Sequence, residues 1–146
     1  MDVSIIVTCY NYEHYIRDAI QSCLSQKSSK ISTEILVFDD GSTDNSAKVV
    51  SSNFGDRVKY FRLENSGIEK VVNFASGKAS GKYLLRLDAD DLLSEDYLGI
   101  VEKEVLAGRE IIYTDYWEID SNGVIGPLIS LPSFDEGEIR ARGDFL

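Results

Sequence analysis

The chain reads as an α/β domain with a mostly parallel sheet, helices on both faces and a terminal antiparallel hairpin. Short segments rich in β-branched residues alternate four times with segments of helical apolar spacing, and parallel neighbours require such crossovers. The dipeptide Asn122-Gly123, set between two further apolar segments, is a hairpin signal. The chain has 146 residues, 43% of them apolar, which suffices for one continuous core.

The first strand is Val3 to Thr8, short and β-branched. From Tyr15 the period changes, and Ile16, Ala19, Ile20, Cys23 and Leu24 share one helix face ending near Gln26. Ile35 to Phe38 is a second strand. Gly41-Ser42-Thr43-Asp44 then offers a turn and several N-cap candidates for a helix burying Ala47, Val50 and Phe54. Val58 to Leu63 is a third strand, followed by a helix with Val71, Val72 and Ala75 on one side. Tyr83 to Leu87 is the fourth strand and runs straight into Asp88-Ala89-Asp90-Asp91. Ser94-Glu95-Asp96 opens a helix that buries Leu98, Val101, Val105 and Leu106 and stops at Gly108. Glu110 to Thr114 is expected as a fifth strand, with the hairpin of Tyr116 to Ile119 and Val124-Ile125 after it. Beyond Leu131 the segment is acidic, with no clear period.

Composition narrows the function. Twenty-five acids against fifteen bases give a net charge of −10. Such a chain repels phosphate backbones, which argues against nucleic acid as a partner and against a polybasic membrane contact. It suits a site that holds a cation. The longest apolar run, Ile35-Leu36-Val37-Phe38, is far short of a transmembrane segment, and the N-terminus lacks a secretory pattern. A cytoplasmic location is expected, with the inner face of a membrane as a peripheral one. Cys9, Cys23 and the single His14 cannot form a structural zinc site without carboxylates. His14, near a helix start, is expected to be exposed. Glu102, Lys103 and Glu104 read as a solvated face.

In an open α/β sheet, ligands bind beyond the carboxyl ends of the strands. Three such ends carry concentrated polar residues: Thr8-Cys9-Tyr10-Asn11, Asp39-Asp40-Gly41-Ser42 and Asp88-Ala89-Asp90-Asp91. If the last of these is extended, Asp88 and Asp90 point the same way, and two carboxylates so close call for a cation or hydrogen-bond donors. Oxygen-only ligands suit magnesium or manganese with positions left for phosphate oxygens. An EF-hand is excluded because Leu92 and Leu93 stand where a ligand and a glycine are needed. Adjacent Asp39 and Asp40 can accept a nucleobase imide N–H, which favours uridine or thymidine over guanosine. Thr8 and Tyr10 add a hydroxyl and an aromatic face for stacking.

Together Val3 to Asn11, Asp39 to Asp44, Asn65-Ser66-Gly67 with Asn73, and Leu87 to Asp91 resemble the family 2 glycosyltransferases in order and spacing. The resemblance implies a GT-A fold, a nucleotide-diphospho-sugar donor, a glycan or other hydroxyl acceptor, inversion, and Mn2+ or Mg2+ as cofactor. By matching motif, Thr8, Tyr10 and Asp40 contact the nucleoside, Asp88 lies near ribose and metal, and Asp90 is the principal metal ligand. Asn11, Asp39 and Gly67 complete the donor-binding set. Residues 1–115 correspond to the donor-binding half, and 116–146 to the hairpin and the start of an acceptor half. On this reading the single domain, 1–146, is truncated.

Two departures stand out. Many family members carry an arginine, suited to meeting phosphate, where this chain has Val72 within Val71-Val72-Asn73, which leaves either Lys70 as a substitute or a larger share of the neutralisation to the metal. Thr8 also replaces a common proline. The general base is not identifiable, since Asp135-Glu136, Glu138 and Asp144 do not match its context. Tyr116 and Trp117 are candidates for either a sugar or acceptor pocket or sheet packing. The alternatives are a non-catalytic nucleotide-sugar-binding fragment and a haloacid-dehalogenase-like phosphatase, whose nucleophile would be Asp39.

Overall fold

The structure, a computed structural model, describes residues 1–28 and 30–131. Asp135-Glu136, Glu138 and Asp144 lie outside the described residues. Two compact units are formed, Met1–Glu110 and Ile111–Leu146.

The first unit alternates β1 (Val3–Cys9), α1 (Ile16–Leu24), β2 (Thr33–Asp39), α2 (Ser46–Asn53), β3 (Lys59–Arg62), α3 (Ile68–Ser76), β4 (Tyr83–Asp88) and α4 (Tyr97–Leu106). The four strands form one parallel sheet in the order β3-β2-β1-β4. Crossovers carry the chain outward from β1 to β3, then back across the sheet to β4, so the strand order reverses between β1 and β4. All four carboxyl ends therefore share one rim.

β1 and β2 are buried on both faces, as central strands of a parallel sheet must be. Ile6, Leu36 and Phe38 pack on one face against Val71 and Ala75 of α3, and Phe61 stacks on Phe38 with ring centroids 4.9 Å apart. By strand alternation Ile5, Val7, Ile35 and Val37 occupy the other face. α1 contacts β1 and β2 and buries Ile16, Ala19, Ile20 and Cys23. α4 is tied to α1 by hydrogen bonds from Gln26 Nε2 to the Ser94 carbonyl (2.6 Å) and from Leu98 N–H to Gln26 Oε1 (3.0 Å).

At the amino ends of the strands, buried Glu34 accepts hydrogen bonds from Ser4 Oγ, Ser80 N–H, Ser80 Oγ and Lys59 Nζ, at 2.6–2.8 Å. Gly81 sits so close to β1 that a Cβ there would lie 2.4 Å from the Ser4 nitrogen. This network fixes where β4 enters the sheet, opposite the polar rim.

The second unit contains the antiparallel hairpin of β5 (Tyr116–Ile119) and β6 (Ile125–Ile129). Gly123 takes φ +79° in the turn, and Asp120 Oδ1 accepts the N–H groups of Asn122 and Val124. Tyr116 and Trp117 stand exposed on this hairpin.

Three expectations are corrected. Residues 110–114 form no strand, because β-branched residues favour an extended ladder only where a partner strand covers them, and Ile111 is 67% exposed. Leu106 is exposed, since it falls off the face defined by Leu98, Val101 and Val105. Glu102 is not simply solvated: it accepts a hydrogen bond from Ser28 Oγ (2.6 Å) and pairs with Lys30 (3.0 Å). His14 is exposed as expected.

Candidate functional site

A cleft of about 560 Å³ opens at the carboxyl rim where the strand order reverses, and its floor is built from β1 and β4. Thr8, Tyr10, Asp40, Gly67, Asp88 and Asp90 line it, drawn from four separate segments of chain.

Asp40 is 8% exposed at the mouth of the loop after β2. Its Oδ1 accepts the Ser66 N–H (2.8 Å) and its Oδ2 the Gly67 N–H (2.9 Å). The carboxylate thus sits at the positive end of α3, capping a helix whose own N-cap residue, Gly67, has no side chain to do so. Oδ1 also accepts the Ser66 hydroxyl (3.4 Å), so it is Oδ2 that keeps a further lone pair for a ligand donor. Tyr10, 46% exposed, presents an aromatic ring on the same cleft.

Thr8 and Asp88 are register partners on β1 and β4, and Thr8 Oγ1 donates to Asp88 Oδ1 at 2.5 Å. Asp88 Oδ2 accepts from Arg86 Nη2 at 2.6 Å. The expectation of an extended Asp88-Ala89-Asp90 is corrected, because β4 stops at Asp88. Ala89 and Asp90 form a turn, with Asp91 N–H bonded to the Asp88 carbonyl (3.0 Å) and Ala89 buried. Both carboxylates nonetheless reach the cleft.

Their negative field marks their neighbours. The charge on Asp90, then burial, then a hydrogen bond to Asp90 raise the Tyr12 hydroxyl above its ordinary value. Burial first, then the charges on Asp90 and Asp88, raise the Asp91 carboxyl. Burial also pushes up the thiol of Cys9, which lies beside the Ser42 hydroxyl.

Asn11 and Asp39 do not line the cleft; they shape its loops. Asn11 adopts φ +59°, and its Oδ1 accepts the Thr43 N–H (2.7 Å) while its own N–H donates to Ser42 Oγ (2.9 Å). Asp39 is fully buried, with Oδ1 bonded to the Ser42 N–H (2.7 Å) and Oδ2 to the Tyr60 hydroxyl. A carboxylate so enclosed is no open nucleophile, which removes the phosphatase alternative. Lys70 is exposed and does not line the cleft.

Cys9 and Asn65 stood in the quoted motifs without a site role, and sequence reasoning missed Tyr12, Ile68, Val71 and Arg86 among the lining residues. Arg86 was within reach, because strand alternation puts it on the same face as Asp88. Nothing local to Tyr12 announces its contact with Asp90.

Among the described residues no three His, Cys, Asp or Glu side chains come together as a metal site. Asp88 and Asp90 do fit the sparser mode in which one or two carboxylates hold Mg2+ or Mn2+ and phosphate oxygens supply other ligands.

The parallel sheet, its reversal point and the polar cleft outside the strand ends define a GT-A-like α/β domain. The glycosyl transferase family 2 profile matches residues 4–143. An uncharacterised glycosyltransferase of Rickettsia bellii is 36% identical over 126 residues, which is 83% of this chain and 18% of that protein. The hyaluronan synthase of Pasteurella multocida is 33% identical over 125 residues, covering 83% of this chain and 13% of the synthase. Crystalline S. aureus TarS in complex with UDP-GlcNAc superposes with a TM-score of 0.63 and 31% identity, covering 74% of this chain and 31% of TarS. The chain belongs to glycosyl transferase family 2. It spans a fifth or less of the length of the first relatives it matches.

Proposed function

We propose that this chain is the donor-binding part of a glycosyltransferase that moves a sugar from a nucleotide-diphospho-sugar to an acceptor hydroxyl with inversion. The observation that supports it best is the meeting of Tyr10, Asp40, Thr8, Asp88 and Asp90 in one cleft at the strand-order reversal. Tyr10 stacks on the base, and Asp40 accepts the base's imide N–H through the free lone pair of Oδ2. Thr8 and Asp88 face the ribose. Asp90, with Asp88, holds Mn2+ or Mg2+. When bound, such an ion supplies Lewis-acid neutralisation of charge on the departing nucleoside diphosphate.

The acceptor hydroxyl attacks from the face opposite the leaving group, and a carboxylate base takes its proton. None of the described carboxylates is assigned that proton. The bound TarS neighbours make a uridine diphospho-sugar the first donor to test. UDP and UDP-GlcNAc are titrated calorimetrically with and without Mn2+, followed by assays of donor hydrolysis and transfer. Binding strengthened by Mn2+ is expected; binding without any turnover favours the non-catalytic alternative. No affinity for any nucleoside diphosphate would sink the donor-site reading.

A further inference from the structure

We infer that Arg86 is the cation that meets the donor's diphosphate, in the place of the arginine that Val71-Val72-Asn73 lacks. The inference rests on the donor-site reading above and adds a residue to it. Of the twelve residues that line the cleft, Arg86 alone is basic, against three carboxylates, Asp40, Asp88 and Asp90. Lys70, the other candidate in sequence, lies outside the lining.

The charge balance gives Arg86 its importance. A nucleotide-diphospho-sugar brings about two negative charges. With the guanidinium, the three carboxylates leave the empty cleft at minus two, which one divalent ion cancels. Without it, the loaded cleft stays anionic when the donor arrives. Like charges held at short range repel, and the cost rises as water is displaced from between them.

Geometry permits the role. Arg86 pairs across the sheet with Ile6, two residues before Asp88 pairs with Thr8, so both side chains leave the same face of β4. The guanidinium engages Asp88 through one terminal nitrogen and is about one-third exposed. Five N–H donors in a planar fork leave several for phosphate oxygens, a bidentate match that an ammonium group lacks. Asp88 holds the guanidinium over the cleft, and Thr8 holds Asp88 from the other side.

The test compares wild type, Arg86→Lys and Arg86→Gln in saturating Mg2+, with UDP and uridine as probes and the guanosine and thymidine pairs alongside. Circular dichroism first establishes that each variant is folded. Arg86→Gln is expected to lose about tenfold or more in UDP affinity, as for a charged hydrogen bond, with uridine affinity unchanged. Arg86→Lys is expected to fall between. Equal loss for UDP and uridine would assign Arg86 only to bracing Asp88 and overturn the proposal, as would no loss for either. A wild-type chain that binds uridine but gains nothing from the diphosphate also overturns it, leaving the nucleoside site standing. A wild-type chain that binds none of the probes overturns the donor-site reading and this inference together.

Discussion

Asp39 and Asp40 are neighbours in sequence with different work to do. Asp39 is fully buried and closes the loop through the Ser42 N–H and the Tyr60 hydroxyl, whose ionisation is pushed up first by burial and then by that hydrogen bond. Asp40 reaches the cleft. Removing Asp39 strands the buried Ser42 N–H, at about 1–3 kcal/mol, and the half-buried Tyr60 hydroxyl, at about 1 kcal/mol, so Asp39→Ala is expected to lose about 2–4 kcal/mol in urea unfolding. Asp90 is exposed on a turn, and Asp90→Ala is expected within about 0.5 kcal/mol of wild type while Mn2+-dependent nucleotide binding disappears. An unfolding midpoint for Asp39→Ala equal to that of wild type would show the enclosed carboxylate to be dispensable. Unchanged nucleotide affinity in Mn2+ would remove Asp90 from the site.

At the scale of elements, the two ends of the sheet are specialised. The carboxyl rim carries the cleft; the amino rim carries Glu34, which ties β1, β2, β3 and the loop before β4 together. Burial opposes ionisation of Glu34 most strongly, yet hydrogen bonds from Lys59, Ser4 and Ser80 outweigh it and hold the carboxyl at about 2, below its ordinary 4.5. A depressed folded-state value means the stabilisation is complete above the unfolded value and drains away as pH falls toward the folded one. Thermal melts from about pH 6 down to about pH 2 should therefore show wild type converging on Glu34→Gln. A constant gap between them would show that the ionised form contributes nothing. The strands and helices of this unit were legible because short β-branched runs alternate with segments of helical apolar spacing from Val3 to Val105. The Glu34 network was not, because its partners lie up to 46 residues away and no local pattern announces them. Asn11 was visible as a polar strand-tip residue, but its left-handed backbone and its clasp on Thr43 depend on how two loops meet. Residues 110–114 misled because strand propensity is a property of covered, paired chain.

Over the whole molecule, the net charge of −10 acts on whatever approaches the cleft. The acidic surface works against a nucleotide and in favour of a divalent ion, so ion binding should depend on the long-range field as well as on Asp88 and Asp90. Salt distinguishes the two contributions, because contacts within a partly buried site are screened far less than surface charges more than a Debye length apart. Raising KCl from about 20 to about 200 mM should weaken apparent Mn2+ affinity by about three- to tenfold. Nucleotide affinity measured without any divalent ion should hold or rise over the same range, since screening relieves repulsion there. Calorimetric titrations of Mn2+ alone and of UDP alone at each salt concentration measure both trends. Opposite slopes follow only if the field of the whole chain reaches the cleft. Two flat lines would confine the electrostatics to the few side chains that line it.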